Sequence, residues 1–293
     1  LTALALSVSF RIRFWNIGGE GQFTMGAIAA SLVALTAGEL PPWLLIPLMC
    51  AAGMAAAALY GLIPAFLKVR FGTNETLLTL MLNYIALYLL CFFGETNAPW
   101  NLFLDPASAR PRFLTFSENA WMPGLKLGSL TLNVSLLVTV LLYAAALVYL
   151  GRTKQGYEIS AVGDSPSAAR YAGMGVGHVV IRTMLLSAGM IGLAGSFYVS
   201  TSHVLSTSVT NNVGWTGIIV AWLAKLHPVG IFAASILISV LRFGCQAAST
   251  SFATIDSNFA DLLQGIILFA VLAADFMVRF RIVFRGKEKE AQA

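Results

Sequence analysis

The chain has 293 residues, of which 58% are hydrophobic and only 11% are charged, and its formal net charge is +5. Soluble domains contain about 25% charged residues, so this chain has too few polar side chains to cover a soluble fold. Its basic residues lie between apolar segments and in the C-terminal tail, without the dense basic stripe of a nucleic-acid-binding surface. These properties indicate a membrane protein and argue against a nucleic-acid partner.

The first ten residues, Leu1 to Phe10, are mostly apolar and precede Arg11 and Arg13. A segment of this length is too short to span a bilayer, and in a signal peptide the positive residues come before the apolar segment. We therefore expect the end of a helix whose start is missing, which makes the chain an N-terminally truncated fragment.

Longer apolar segments follow, and a bilayer-spanning helix needs roughly 20 residues. Such segments are residues 21–38, 43–67, 76–93, 131–150, 179–200 and 262–280. The stretch 214–243 is interrupted at Lys225-Leu226-His227-Pro228, which predicts two pieces of about a dozen residues, either a half-helix hairpin or two tilted spans. The predicted fold is an all-α, polytopic transmembrane helical bundle of about eight spans or half-spans, in a single domain covering residues 1–293.

The distribution of Lys and Arg predicts the orientation. If residues 151–178 are cytoplasmic, fourteen of the 18 basic residues fall on the cytoplasmic side, as the positive-inside rule requires. The exceptions are Arg110, Arg112, Lys126 and Arg242. The loop 94–130 is then an external cap or rim, and the tail 281–293 is cytoplasmic.

Polar side chains at the entrance of the first long span are candidates for function. Asn16, Glu20 and Gln22 lie among several glycines there, and a carboxylate near the bilayer must find partners. They either fix a broken helix end or contact a solute. Asn83 and Tyr84 lie within the third long span, where an amide either bonds to another helix or faces a cavity.

Capping signals predict a short helix in the loop 151–178. Ser165 is a good N-cap, Pro166 suits the first helical position, and Gly173 suits the residue after the end. A helix over Pro166 to Ala172 is too short to be stable alone, so it must pack against something.

The chain has no phosphate-binding Gly-rich motif followed by Lys and Ser or Thr, and no catalytic set typical of a membrane enzyme. We therefore expect a transport subunit that is not itself an enzyme and binds no cofactor, with any ATP and Mg²⁺ on a separate ATPase subunit.

Several segments carry a resemblance to a known family: Asn16 to Gln22 (NIGGEGQ), Asn74-Glu75 together with Leu82 to Ala86 (LNYIA), and Gly156 to Gly173. They resemble the permease subunits of ribose-type and branched-chain-amino-acid-type ABC importers, and more closely the nucleoside-uptake branch.

The resemblance implies a bacterial inner-membrane (plasma-membrane) multi-pass protein with a cytoplasmic C-terminus. It also implies a second permease subunit, identical or paralogous, ABC ATPase subunits and an external solute-binding lipoprotein. By the same resemblance the short cytoplasmic helix is the coupling helix that contacts the ATPase, through Asp164, Ser165, Pro166, Ser167, Ala168, Ala169, Arg170 and Tyr171.

A nucleoside has an apolar face and several hydrogen-bonding edges, so its path should offer aromatic rings and amides. The candidates for the translocation path are Asn16, Glu20, Gln22, Asn83, Tyr84 and Trp215. The alternatives are an ABC permease for a simple sugar such as ribose, and a secondary transporter driven by an ion gradient. The second would need paired ionisable residues within the spans, whereas most charges here lie at span ends and in loops.

Overall fold

The computed structural model describes residues 1–96, 98–108, 110–127, 130–252 and 259–279, which form a set of α-helices and one short β-hairpin. The helices are α1 (Thr2–Arg11), α2 (Gly19–Thr36), α3 (Pro42–Phe71), α4 (Glu75–Glu95), α5 (Val134–Arg152), α6 (Lys154–Asp164), α7 (Pro166–Tyr171), α8 (Val176–Ser202), α9 (Val213–Leu223), α10 (Pro228–Ser251) and α11 (Phe259–Arg279). The antiparallel hairpin joins β1 (Gly124–Leu127) to β2 (Leu130–Asn133).

Five of the described helices, α3, α4, α5, α8 and α10, are long and apolar enough to cross a membrane. This confirms the prediction of a polytopic helical bundle. Shorter apolar helices accompany them, among them α9 and residues Phe259–Val271 of α11.

The chain divides into two compact units, Leu1–Ala234 and Ser235–Ala293. In the first, α2, α3 and α8 pack against one another, and α1 packs against α8 and α9. In the described part of the second, an ion pair of 3.1 Å joins Arg242 to Asp261. The predicted cytoplasmic tail, 281–293, lies outside the described residues.

Small residues allow α2, α3 and α8 to approach backbone to backbone. A Cβ atom on Gly26 would lie 2.4 Å from the Cα of Gly192, and a Cβ on Gly192 would lie 2.3 Å from the carbonyl oxygen of Gly53. Helices in membranes associate largely through such close packing, because lipid tails are as apolar as leucine. The three glycines therefore set the centre of the first unit.

The segment predicted to be an external cap is tied to the ends of two central helices. The Ser200 hydroxyl, on α8, donates a 2.6 Å hydrogen bond to the carbonyl of Ala120, and the Trp121 ring stacks on His203 with centroids 4.1 Å apart. Ser117 donates to the carbonyl of Gly38, just after α2.

Two predicted boundaries were wrong. The piece after the break at 225–228 is not a half-span, because Pro228 begins α10, a helix of 24 residues. Proline is tolerated at a helix start, where its missing N–H has no intrahelical partner, so it starts this helix instead of shortening it. The span predicted from residue 131 begins at Val134, because residues 130–133 form β2.

The connection predicted over residues 151–178 contains α6 in addition to the predicted short helix. The Thr153 hydroxyl accepts a 3.1 Å hydrogen bond from the N–H of Gly156 and caps α6. Ile159 and Val162 are buried on one face of α6, which fixes it to the rest of the unit.

Candidate functional site: the helix break and the exposed short helix

One short helix, α9, lies beside α1 in the first unit. α9 has 11 residues, so it is about 16 Å long, roughly half of the 30 Å thickness of a bilayer core. The two are packed together, and Thr2 to Phe10 of α1 are all buried. Half-length helices of this kind leave backbone groups at their ends that need partners.

Glu20 supplies those partners at the start of α9. Its Oε1 atom accepts hydrogen bonds from the backbone N–H groups of Gly214, at 2.7 Å, and Trp215, at 3.2 Å. A carboxylate is stabilised at a helix N-terminus, where the unpaired N–H groups and the dipole are positive. Gly214 permits the approach, because a Cβ there would lie 2.5 Å from the backbone nitrogen of Glu20.

A buried amide network lies next to this contact. Asn16 and Gln22 form a reciprocal pair, with each side-chain amide donating to the other's oxygen at 3.1 and 3.2 Å. The Asn16 oxygen also accepts from the N–H of Gly18 at 3.0 Å. Both side chains are almost fully buried, and this pairing fixes the non-helical segment that leads into α2.

Asn83 joins α4 to the same segment. Its Oδ1 accepts a 2.8 Å hydrogen bond from the N–H of Gly21, and its Nδ2 donates a 2.9 Å bond to the carbonyl of Ile17. The Asn83 side chain therefore satisfies backbone groups at the irregular start of α2. Its hydrogen-bonding capacity is used within the protein, as an amide that joins two helices requires.

Tyr84 and Trp215 stand apart from this network. Tyr84 is 55% exposed on α4, and Trp215 is 42% exposed on the first turn of α9. The structure thus brings Asn16, Glu20, Gln22 and Asn83 together where the non-helical segment 12–18, between α1 and α2, lies near the start of α9. We call this region the helix break. The rings of Tyr84 and Trp215 remain on the surface of the chain.

Sequence reasoning missed two contributors to the break. Thr79 is buried; its hydroxyl accepts from the N–H of Ile17 at 3.2 Å and donates to the carbonyl of Glu75 at 2.8 Å. Gly214 was not singled out, although a glycine directly before Trp215 was a signal of close backbone approach.

The predicted short helix is present as α7, Pro166–Tyr171, within one residue of the expected end. The Ser165 hydroxyl accepts from the N–H of Ala168 at 3.3 Å, and Gly173 has φ +78°, a left-handed conformation that favours glycine after a helix end. The predicted capping residues are therefore confirmed.

α7 is anchored by one face and exposed on the other. Ala169 is only 3% exposed and packs in a cluster with Val162 and Val179, whereas Tyr171 is 96% exposed. Pro166, Ser167, Ala168 and Arg170 are also exposed, and Asp164 is the exposed last residue of α6. A fully exposed tyrosine on a rigidly anchored helix is a feature typical of a contact surface.

The long apolar helices, the short helix α9 and the anchored, exposed helix α7 are features of a multi-pass membrane protein. The chain belongs to the family described as the branched-chain amino acid transport system permease component, whose pattern it matches over residues 1–272.

Three relatives indicate where in this family the chain lies. The nucleoside ABC transporter permease protein NupB of Lactococcus lactis is 33% identical over 250 residues, which are 83% of this chain and 68% of NupB. The guanosine ABC transporter permease protein NupP of Bacillus subtilis is 31% identical over 99% of this chain and 82% of its own length. The glucose ABC transporter permease protein TsgB13 of Haloferax volcanii is 28% identical over 100% and 79%. No solved structure matches the chain.

Proposed function

We propose that this chain is the translocation subunit of an ATP-driven ABC importer that carries a nucleoside across a bacterial plasma membrane. The observation that carries the proposal is its similarity to NupB and NupP, which are named for nucleoside and guanosine transport and are matched over most of this chain.

The position of the Glu20 carboxylate at the start of α9 favours an uncharged solute. In transporters, the positive N-terminus of a half-helix commonly binds an anionic group of the substrate. Here Glu20 of the protein itself occupies the N-terminus of α9, so that end is not available to a solute carboxylate or phosphate. A nucleoside carries no charge at neutral pH and does not need such a site.

The path residues are a further proposal. Trp215 and Tyr84 offer exposed aromatic surface on which a base can stack, while Asn16, Gln22 and Asn83 hold the break in shape. Glu20 positions the first turn of α9 and thereby the Trp215 ring. In this assignment only the two aromatic side chains contact solute directly.

The exposed face of α7 is the proposed contact with a separate ATPase, which would bind the ATP and Mg²⁺. Tyr171 and Arg170 would make the main contacts, with Asp164, Ser165, Pro166, Ser167 and Ala168 around them. Ala169 faces inward and anchors the helix, so we remove it from the predicted contact set. Because α7 packs against α6 and α8, movement of the ATPase would be passed to the bundle.

The complete transporter would contain a second permease subunit, two ATPase subunits and an external solute-binding lipoprotein, and the C-terminus of this chain would be cytoplasmic. The positive-inside distribution of Lys and Arg supports this orientation. The two permeases would form the path between them, and rocking of the bundles would expose it to each side in turn.

A simple sugar is the second candidate solute, because TsgB13, named for glucose transport, is also similar over the full chain. Uptake of radiolabelled guanosine and glucose would separate the two. Cells that lack their own nucleoside permease and express the four-part transporter should accumulate guanosine, and excess unlabelled glucose should not compete. Accumulation of glucose, with no competition by guanosine, would replace the nucleoside with a sugar.

A further inference from the structure

A cavity of about 460 Å³ lies at the end of α1, between α6 and the turn that joins α9 to α10. Its lining includes three basic residues, one carboxylate and two tryptophan rings: Arg11, Arg13, Lys225, Asp164, Trp15 and Trp222. Small-molecule sites in proteins commonly have volumes of roughly 300–1,000 Å³, so the cavity is large enough for a polar headgroup. None of its residues belongs to the amide network at the helix break.

The lining is positively charged. Arg11, Arg13 and Lys225 face one carboxylate, that of Asp164, and the two arginines alone outnumber it. The Arg11 guanidinium donates a 2.9 Å hydrogen bond to the carbonyl of Leu226, while its Nε is buried and has no hydrogen-bond partner among the described residues. A buried donor without a partner is costly, so the contacts of Arg11 with the described residues satisfy its guanidinium only in part.

Residues that line the cavity, two of them basic, have unfavourable backbone conformations. Arg13 has φ +56°, Lys225 +49° and Leu226 +60°, all in the left-handed region, which non-glycine residues seldom adopt. Close packing supports these turns, because a Cβ on Gly163 would lie 1.9 Å from the carbonyl oxygen of Arg11. Strained residues that cluster around one cavity are typical of binding sites.

Two tryptophans form one wall of the cavity. The rings of Trp15 and Trp222 stack with centroids 5.3 Å apart and an angle of 10° between their planes, and the Phe10 ring lies 6.0 Å from each. Trp15 is 46% exposed and Trp222 38% exposed. Tryptophan is enriched at the membrane–water interface, where its ring lies at the level of the lipid headgroups.

We propose that this cavity binds the phosphate of an anionic phospholipid from the cytoplasmic leaflet. Basic pockets between membrane helices on the cytoplasmic side are suited to such headgroups, because the phosphodiester accepts hydrogen bonds from arginine. The stacked tryptophans favour a lipid over a soluble phosphate compound, since they offer apolar surface beside the charge. The proposal rests on the cytoplasmic orientation of this end and not on the transported solute.

The test compares lipid binding to the purified full chain in a neutral detergent, by native mass spectrometry and by thermal unfolding. The probes are dioleoyl phosphatidylglycerol, dioleoyl phosphatidylcholine and inorganic phosphate. We expect phosphatidylglycerol to bind and to raise the unfolding temperature more than phosphatidylcholine does. Arg13→Gln should weaken binding of phosphatidylglycerol about fivefold, the effect of one basic residue near a membrane surface.

Two further variants distinguish a specific change in lipid binding from a general loss of folded protein. Asp164→Asn removes the carboxylate of the cavity and should tighten binding of phosphatidylglycerol, a gain that misfolding cannot produce. Arg152→Gln, an exposed basic residue at the end of α5 and outside the cavity lining, should leave binding unchanged. Equal binding of the two lipids, or equal losses in Arg13→Gln and Arg152→Gln, would overturn the proposal. If inorganic phosphate stabilised the protein as well as the lipid did, a soluble phosphate compound would replace it.

Discussion

Glu20 Oε1 accepts a 2.7 Å hydrogen bond from the backbone N–H of Gly214, a residue 194 positions later in the chain. This contact fixes the start of α9 against the start of α2, so a side chain from the first turn of α2 caps α9. It explains how a half-length helix can begin inside a bundle without leaving its first N–H groups unpaired.

Replacement of Glu20 should therefore destabilise the fold in a graded way. Glu20→Ala removes the cap and should cost about 0.5–2 kcal/mol, whereas Glu20→Gln keeps an acceptor oxygen and should cost less. In detergent, the unfolding temperature should be highest for wild type, lower for Glu20→Gln and lowest for Glu20→Ala. Glu39→Ala, at an exposed site after α2, is the control. Equal unfolding temperatures for Glu20→Ala and wild type would contradict the capping role.

Close packing at the centre of the first unit predicts a strong effect of a single methyl group. Gly192→Ala would place its Cβ 2.3 Å from the carbonyl oxygen of Gly53 and should destabilise the protein by about 1–3 kcal/mol or more. In Gly151→Ala, near the end of α5, the new Cβ has no atom of the described residues within 4 Å, so the change should be neutral or slightly stabilising. The stability of the two variants is compared by the yield of monodisperse protein that each gives after mild heating. A normal yield for Gly192→Ala would show that the helices are further apart.

Asn83 and Tyr84, neighbours on α4, should separate a structural from a solute-contact role. Asn83→Ala leaves the N–H of Gly21 and the carbonyl of Ile17 without their partner and should cost roughly 1–3 kcal/mol of stability.

Tyr84→Ala removes an exposed ring and should leave the free energy of unfolding within about 0.5 kcal/mol of wild type, while raising the concentration of nucleoside needed for half-maximal uptake. Unfolding and uptake should be measured on the same preparations. A stable Asn83→Ala protein that fails to transport would place Asn83 on the path instead.

The exposed end of α7 should control coupling without affecting folding. Tyr171→Ala should abolish most ATP-dependent uptake and the nucleoside stimulation of ATP hydrolysis, while membrane insertion and unfolding temperature stay unchanged, because the ring makes few contacts within the chain. Tyr157→Ala, an exposed tyrosine on α6, is the matched control and should retain uptake. Normal uptake by Tyr171→Ala would remove α7 from the coupling interface.

Hydrophobic segment length and capping chemistry were enough to predict the class of fold and the short helix α7. Long apolar segments permit little besides membrane helices, and Ser165, Pro166 and Gly173 each favour one position of a helix end. The prediction makes α10 too short, because it places Pro228 at an interruption within a span, whereas this proline begins the helix.

The contacts of the helix break could not be predicted from the sequence. Glu20 and Gly214 meet only through tertiary packing, and no local pattern connects residues so far apart. The sequence left Asn83 open between a structural and a solute-contact role, because an intramembrane amide suits either until its partners are known. The hydrogen bonds from Asn83 to Ile17 and Gly21 show that its side chain has a structural role.

The most direct test of ATP-driven nucleoside import uses proteoliposomes that contain this chain, its partner permease and the ATPase. The binding protein is added on the side of the membrane opposite the ATPase. We expect radiolabelled guanosine to be transported only when ATP and Mg²⁺ are supplied on the ATPase side. An ionophore that dissipates ion gradients should not change the rate of this transport. Transport that proceeds without the ATPase and stops with the ionophore would contradict this account and identify a secondary transporter.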